Sequence, residues 1–244
     1  MRSRSSRPAR SRSPTRVLLA ALADAGTLAR FVPFDVSEPP LREASLAISR
    51  EHPGVQVHAV VGDFDRHLGA LPGGGRRLVA FLGGTVGNMA PSERAHFLTD
   101  LRATMNPGDS LLLGTDLVKS PARLVPAYDD AAGVTAEFNR NVLHVINREL
   151  GADFAPGRFE HRAVWDDTNE WIEMRLRSVV DQRVEIPGVG LAVTFVAGEE
   201  MRTEISAKFR LAGVARELEA TGWDLDSWWT DRAGDFAVSL SFAR

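Results

Sequence analysis

Cysteine is absent from all 244 residues, and there is a single tyrosine, Tyr128. Without cysteine there is no disulfide framework and no thiolate nucleophile. No apolar run approaches the ~18 residues that a membrane-crossing helix needs, so no membrane partner is expected. Six histidines are present: His52, His58, His67, His96, His144 and His161. None shows a metal-type pairing such as i, i+4 on one helix, so no metal is expected. Acidic residues are absent from residues 1–16, and glycine is absent before Gly26. Residues 1–16 instead hold six arginines and five serines. Taking those arginines from the 29 basic residues leaves 23 against 32 acidic ones, so the body carries −9. An acidic body argues against broad binding to a phosphate backbone. The setting expected is a cytoplasmic monomer acting on a small molecule, with no nucleic-acid partner.

What is present reads as a globular chain, 44% apolar and 25% charged. Residues 15–25 have a helical apolar period, stopped by Gly26. "LARFVPFDV" predicts a buried strand closing on Asp35. Ser37 and two prolines predict a helix that stops before Pro53 and Gly54. "VQVHAVVGDF" predicts a second strand, and "RRLVAFLGGTVGN" a third with a core at 78–82. A helix capped by Ser92 follows, then the strand "SLLLGTDLV". Strands alternating with helices at this spacing predict βαβ units and a parallel sheet. Beyond Lys119, a polar-faced helix and a period-two meander appear, with turns at Asp166-Asp167 and Pro187-Gly188. The last stretch returns to a helix, a stop at Gly222 and two strands.

Asp35, Asp63, Asn88 and Asp116 fall at strand ends, where ligands bind in open α/β sheets. Asp35 suits ribose hydroxyls, or a helix cap. Asp63 with Phe64 suits an adenine, or a turn. Three glycines before Asn88 let backbone approach a ligand closely, and Asn88 offers both donor and acceptor; a turn asparagine is the alternative. Tyr128 could point at a substrate amine. In "EEMRTEIS", Glu204 and Ser206 stand two apart and would share a face of an extended segment. A carboxylate beside a hydroxyl suits the two nitrogens of an imidazole; a solvated strand face is the alternative.

Taken together, "RFVPFDV", "GDF", "FLGGTVGN", "PGDSLLLGTDLVK", "AYDD", "VTAEFNRNVLHVINREL", "AGEEMRTEIS" and "WWTDRAGDFAVSL" resemble the L-histidine Nα-methyltransferases of ergothioneine biosynthesis, which use S-adenosyl-L-methionine. The resemblance implies an α/β fold: a Rossmann-like methyltransferase sheet with an inserted α+β substrate domain. The methyltransferase domain would take 15–118 and 209–244, and the substrate domain 119–208. Asp35, Asp63 and Phe64 would hold the cofactor's ribose and adenine. Asn88 and Tyr128 would position the histidine amine. Glu204 and Ser206 would grip the imidazole, with Met174 lining that pocket. The product would be Nα,Nα,Nα-trimethyl-L-histidine.

One stretch departs from the family. A strand and a glycine-rich loop with a lysine are expected directly before residue 15, where "SSRPARSRSP" stands. The family's N-terminal tyrosines are also unmatched. Residues 1–14 therefore read as replacement sequence, disordered, with the first strand of the sheet missing. A transit-like peptide has the same composition, and a nucleic-acid tail is a third reading. The alternative to an active enzyme is a truncated, non-catalytic remnant with impaired cofactor binding.

Overall fold

The structure, a computed structural model, describes residues 13–244. Contacts divide it into two compact units, Met1–Gly75 and Arg76–Arg244. The boundary falls inside the segment 15–118 expected to form one methyltransferase domain.

In the first unit, helix α1 (Pro14–Asp24) starts with proline at its first position. The Ser13 hydroxyl accepts the Arg16 N–H at 3.4 Å. The helix thus opens inside the stretch read as replacement sequence; residues 1–12 of that stretch lie outside the described residues. Gly26, at φ +69°, follows the last turn. The strand expected through 28–36 as one buried run is two pieces, β1 (Arg30–Phe31) and β2 (Phe34–Asp35), with Phe31 and Phe34 only half-buried. Pro33 between them has no N–H to donate, although its carbonyl accepts the Val60 N–H at 2.9 Å. Helix α2 (Glu38–Glu51) follows Ser37 as expected. Strands β3 (Gln56–Val57) and β4 (Val60–Val61) pair in parallel with β1 and β2. This brings Asp35 level with Val61, one strand away from the "GDF" turn.

In the second unit, β5 (Leu78–Phe81), α3 (Pro91–Ala103) and β6 (Ser110–Asp116) form a βαβ unit with β5 and β6 parallel. Strand 78–82 was expected at the core. Among the described residues β5 is instead an edge strand, and none of Leu78, Val79, Ala80 or Phe81 is fully buried. The cap of α3 also differs from expectation. Ala90, not Ser92, precedes the helix, and the Glu93 carboxylate reaches back to the Ala90 N–H at 2.6 Å. A short helix that periodicity did not predict, α4 (Pro121–Tyr128), places the single tyrosine at its last residue. Helix α5 (Val134–Leu150) follows Gly133, which is at φ +73°.

Strands β7 (Phe159–Asp166), β8 (Trp171–Ser178), β9 (Gln182–Ile186), β10 (Leu191–Phe195) and β11 (Glu200–Ala207) form the expected antiparallel meander. Their order is β11-β8-β7, with β9 and β10 as a separate hairpin. Leu143 of α5 packs with Phe154, Phe159, Leu176, Val184, Ile186 and Phe195. Burying each large side chain in such a cluster stabilises by about 1.5–3 kcal/mol. Helix α6 (Leu211–Ala220) then leads through Gly222 to β12 (Trp223–Thr230) and β13 (Phe236–Ala243). Antiparallel β13 inserts between β12 and β6, giving the order β12-β13-β6-β5. The fully buried Trp223 donates its indole N–H to the Leu98 carbonyl of α3 at 3.1 Å, locking helix to sheet. No helix among the described residues is long and apolar enough to cross a membrane.

Candidate functional site

The first unit carries Asp35, Asp63 and Phe64 together at the C-terminal ends of β2 and β4. The Gly62 N–H donates to the Asp35 carbonyl at 3.0 Å, so the two loops leave the sheet side by side. Asp35 accepts the Ser37 N–H at 2.8 Å, and Asp63 accepts the Asp65 N–H at 2.9 Å. Each of these bonds engages only one carboxylate oxygen. The other keeps acceptor capacity, the chemistry a pair of sugar hydroxyls requires. Phe64 stacks on Phe34 with ring centroids 5.1 Å apart. Gly62 is required there: a Cβ would come within 3.0 Å of the Phe34 ring and 2.9 Å of the His67 Cβ.

The second unit contains an open cleft of about 370 Å³. Its wall is formed by Gly83, Gly84, Thr85, Asn88, Asp116, Tyr128, Glu204, Ser206 and Phe236. All four substrate residues expected to touch the ligand directly, Asn88, Tyr128, Glu204 and Ser206, therefore share one wall. Met174 is 4% exposed and not part of that wall; it lies directly beside Glu204 on the neighbouring strand.

Local rules place each side chain. Gly83 and Gly84 take φ +90° and +79°, left-handed values that glycine adopts freely. They turn the chain from β5 into a one-turn 3₁₀ helix, Thr85–Asn88. The sequence suggested that these glycines admit a ligand. Gly87 instead admits backbone, because a Cβ there would lie 2.9 Å from the Ala207 carbonyl oxygen. That contact seats Asn88 beside β11. Its carboxamide has no partner among the described residues. Gly114 plays a similar part under the wall, since a Cβ would come within 3.0 Å of the Phe236 ring.

Glu204 follows a β-bulge between Arg202 and Glu204. Glu204 and Ser206 both line the cleft, and Ile205 between them is buried on the other face. The same sheet carries Glu173, paired with Ile205 and so on that opposite face. Glu173 is bound by Arg175 at 2.8 Å, Arg202 at 3.0 Å and the Trp171 indole at 3.1 Å. Glu204 has no hydrogen-bond or ion-pair partner among the described residues. Burial pushes its carboxyl above the ordinary glutamate value. A half-buried carboxylate with no partner is left for a ligand donor.

Sequence reasoning missed the groups behind the wall. The His161 imidazole is 7% exposed. It bonds the Tyr128 carbonyl through Nε2 at 2.8 Å and the Asn139 carboxamide nitrogen through Nδ1 at 2.9 Å. Asn139 donates to Nδ1, so the proton sits on Nε2. The Asn139 oxygen accepts the hydroxyl of Thr203, the bulge residue, at 2.6 Å. This chain ties the end of α4 to the residue preceding Glu204. Lys208, 4% exposed, places Nζ 2.8 Å from the Tyr128 hydroxyl, 2.8 Å from Ser206 Oγ and 3.0 Å from Asp116. Asp116 also binds Lys119 at 2.6 Å. The second aspartate of "AYDD" has a structural task. Asp130 accepts the Val134 and Thr135 N–H groups, chiefly the latter, which holds its carboxyl at about 2. The signal available in sequence was weak: a buried lysine is spelled like an exposed one, and only its place two residues after Ser206 hinted at the cleft.

The model of the family described as histidine-specific, SAM-dependent methyltransferases matches residues 9–243. A histidine N-alpha-methyltransferase from Mycolicibacterium smegmatis is 57% identical over 227 residues, 93% of this chain and 71% of that protein. Another from Mycobacterium tuberculosis is 58% identical over 227 residues with the same coverage. Among solved structures, the CcbJ methyltransferase from Streptomyces caelestis aligns with a TM-score of 0.48 at 17% identity, covering 94% of this chain and 79% of that one.

Proposed function

This chain belongs to the histidine-specific, S-adenosylmethionine-dependent methyltransferases, and on that premise we propose that it methylates the α-amino nitrogen of L-histidine to give Nα,Nα,Nα-trimethyl-L-histidine, as in ergothioneine biosynthesis. The non-catalytic reading is not favoured, because the family match runs from residue 9 to residue 243. The observation that carries the proposal is the unpartnered Glu204 carboxylate, half-buried in a cleft that Asn88, Tyr128 and Ser206 also line. The segment 119–208, which supplies Tyr128, Met174, Glu204 and Ser206, is proposed as the substrate domain. A cytoplasmic monomer is the proposed setting, and the acidic body of the chain supports the absence of a nucleic-acid partner.

The residues at the ends of β2 and β4 fit the ribose and adenine of the cofactor. Asp35 would accept from ribose hydroxyls, and Asp63 with Phe64 would offer a carboxylate and a ring edge to the adenine. When bound, S-adenosylmethionine supplies a methyl group on a positively charged sulfur. The chain's task is then to present an amine whose lone pair is unprotonated and unblocked. Asn88 and Tyr128 are neutral, so they orient the amine without stabilising its protonated form as a carboxylate would. Positioning of this kind supplies roughly 7–11 kcal/mol in favourable cases. At the other end, Glu204 accepts an imidazole N–H and Ser206 donates to the second ring nitrogen. A side chain without those nitrogens leaves both groups unpaired, and sites built in this way discriminate by up to about 10⁴–10⁵.

Incubation of the protein with S-adenosylmethionine and L-histidine, read by mass spectrometry, tests the proposal. Mono-, di- and trimethylated histidine are expected, carrying the label from a labelled methyl donor. Absence of all three, with the protein folded and cofactor bound, would refute it.

A further inference from the structure

We propose that Lys208 is a positioning residue that holds the Tyr128 and Ser206 hydroxyls as one hydrogen-bonded pair facing the substrate. So held, Tyr128 and Ser206 together present one hydroxyl donor, at the imidazole end, and one acceptor, at the amine end. The inference rests on the reading of the cleft as a histidine site.

The argument is a count of protons. An ammonium has three N–H donors and no acceptor. The three polar atoms around Lys208 Nζ are Asp116 Oδ2 at 3.0 Å, Tyr128 Oη at 2.8 Å and Ser206 Oγ at 2.8 Å. All three donors are therefore used, and both hydroxyl oxygens accept from the ammonium. Tyr128 Oη and Ser206 Oγ also stand 2.8 Å apart. One of the two hydroxyl protons lies in that bond, which leaves a single hydroxyl proton for the cleft. The pair cannot donate twice to a ligand.

Which proton is left follows from the chemistry of the substrate. A Tyr128 O–H aimed at the amine would bond its lone pair, the electrons needed to form the new N–C bond. With the opposite polarity Tyr128 donates to Ser206. The remaining Tyr128 lone pair then accepts an amine N–H, and Ser206 donates to the imidazole nitrogen that bears no proton. Glu204 accepts from the nitrogen that does. Lys208 thus couples the two ends of the ligand through one buried nitrogen. Asp116 keeps Lys119 at 2.6 Å, so it retains a counter-ion when Lys208 is replaced.

Lys208→Met keeps the apolar stem and removes the ammonium. The expected result is a rise in histidine KM of about tenfold or more, a smaller fall in kcat and an unchanged Kd for S-adenosylmethionine. Discrimination between histidine and phenylalanine should shrink, an effect that general loosening would not produce. Unchanged histidine KM and unchanged discrimination in a variant that melts like the wild type would overturn the proposal. So would a loss confined to cofactor affinity. A second measurement leaves Lys208 in place and covers a Lys208→Met chain that does not fold. Tyr128→Phe, Ser206→Ala and the double variant are compared for histidine affinity. A shared network predicts that the double loss falls short of the product of the single losses by about fivefold or more; losses that simply multiply would overturn it. A wild-type chain that methylates no histidine refutes the cleft reading and this inference together. Normal wild-type activity with an unaltered Lys208→Met chain refutes the inference alone.

Discussion

The two units hold their functional side chains by different means. In the first, Asp35 and Asp63 are each fixed by one exposed bond to a backbone N–H two residues away. In the second, Tyr128 and Ser206 meet across 78 residues of chain, Tyr128 and Lys208 across 80, and Thr203 and Asn139 across 64. The first arrangement is written into a few consecutive residues. The second exists only once α4, α5, β7 and β11 have packed. Substitutions in the first unit should therefore alter ligand affinity with little effect on stability, whereas substitutions behind the second cleft should alter both.

Asn139→Ala should give the largest break. It leaves His161 Nδ1 without its partner in a buried site and takes one of two acceptors from the Thr203 hydroxyl, which keeps the Met174 carbonyl at 2.9 Å, at a cost of about 2–3 kcal/mol. For a chain of this size that is a fall in Tm of roughly 5–10 °C, measured by calorimetry. Histidine KM should rise with it, and the Kd for S-adenosylmethionine should hold. Asp35→Ala sharpens the contrast from the other side. Cofactor Kd should weaken by roughly 10–100-fold, while stability moves by no more than about 0.5 kcal/mol. A large drop in Tm would show that Asp35 is chiefly a turn residue.

Gly87→Ala is a smaller test of the second unit. Its Cβ would press on the Ala207 carbonyl at 2.9 Å, and overpacking of this kind costs about 1–3 kcal/mol. Histidine affinity should fall because Asn88 and β11 are forced apart. The smallest effect concerns acid. Asp130 is held at about 2, below its ordinary 3.8. A depressed carboxyl contributes stability that is complete above the ordinary value and lost as pH falls through the folded one. Asp130→Ala should therefore melt slightly lower than the wild type at neutral pH, with the difference closing as pH falls through the acid limb of a pH-resolved melting series.

Legibility followed the same division. Helices α2 and α5, the meander turns and the pair of last strands were readable because caps, prolines and period-two alternation are local signals. Asp35, Asp63 and Phe64 were readable for the same reason, as residues just past an apolar run. Glu204 and Ser206 were readable as a spacing, since two residues apart on a strand means one face. The broken first strand was less so: Pro33 lies inside an apolar run whose two halves each pair with only two residues. Helix α4 gave no periodic signal across eight residues with an internal Pro126. Lys208, Asn139 and His161 carry no local mark at all, because their roles depend on which distant hydroxyl or carbonyl the fold delivers to them.

The central claim is that the Glu204 carboxylate is kept free for the imidazole of the substrate. Burial raises its pKa, so stability falls as pH rises through the raised value. Glu204→Gln should accordingly melt slightly higher than the wild type at neutral pH while binding histidine less well. The most direct measurement is histidine KM together with the Kd for S-adenosylmethionine in Glu204→Ala, compared with the wild type. A ring nitrogen left unpaired costs about 1–3 kcal/mol, so KM should rise by roughly 5–150-fold with cofactor affinity intact. An unchanged histidine KM, or a collapse of cofactor binding in its place, would contradict the account.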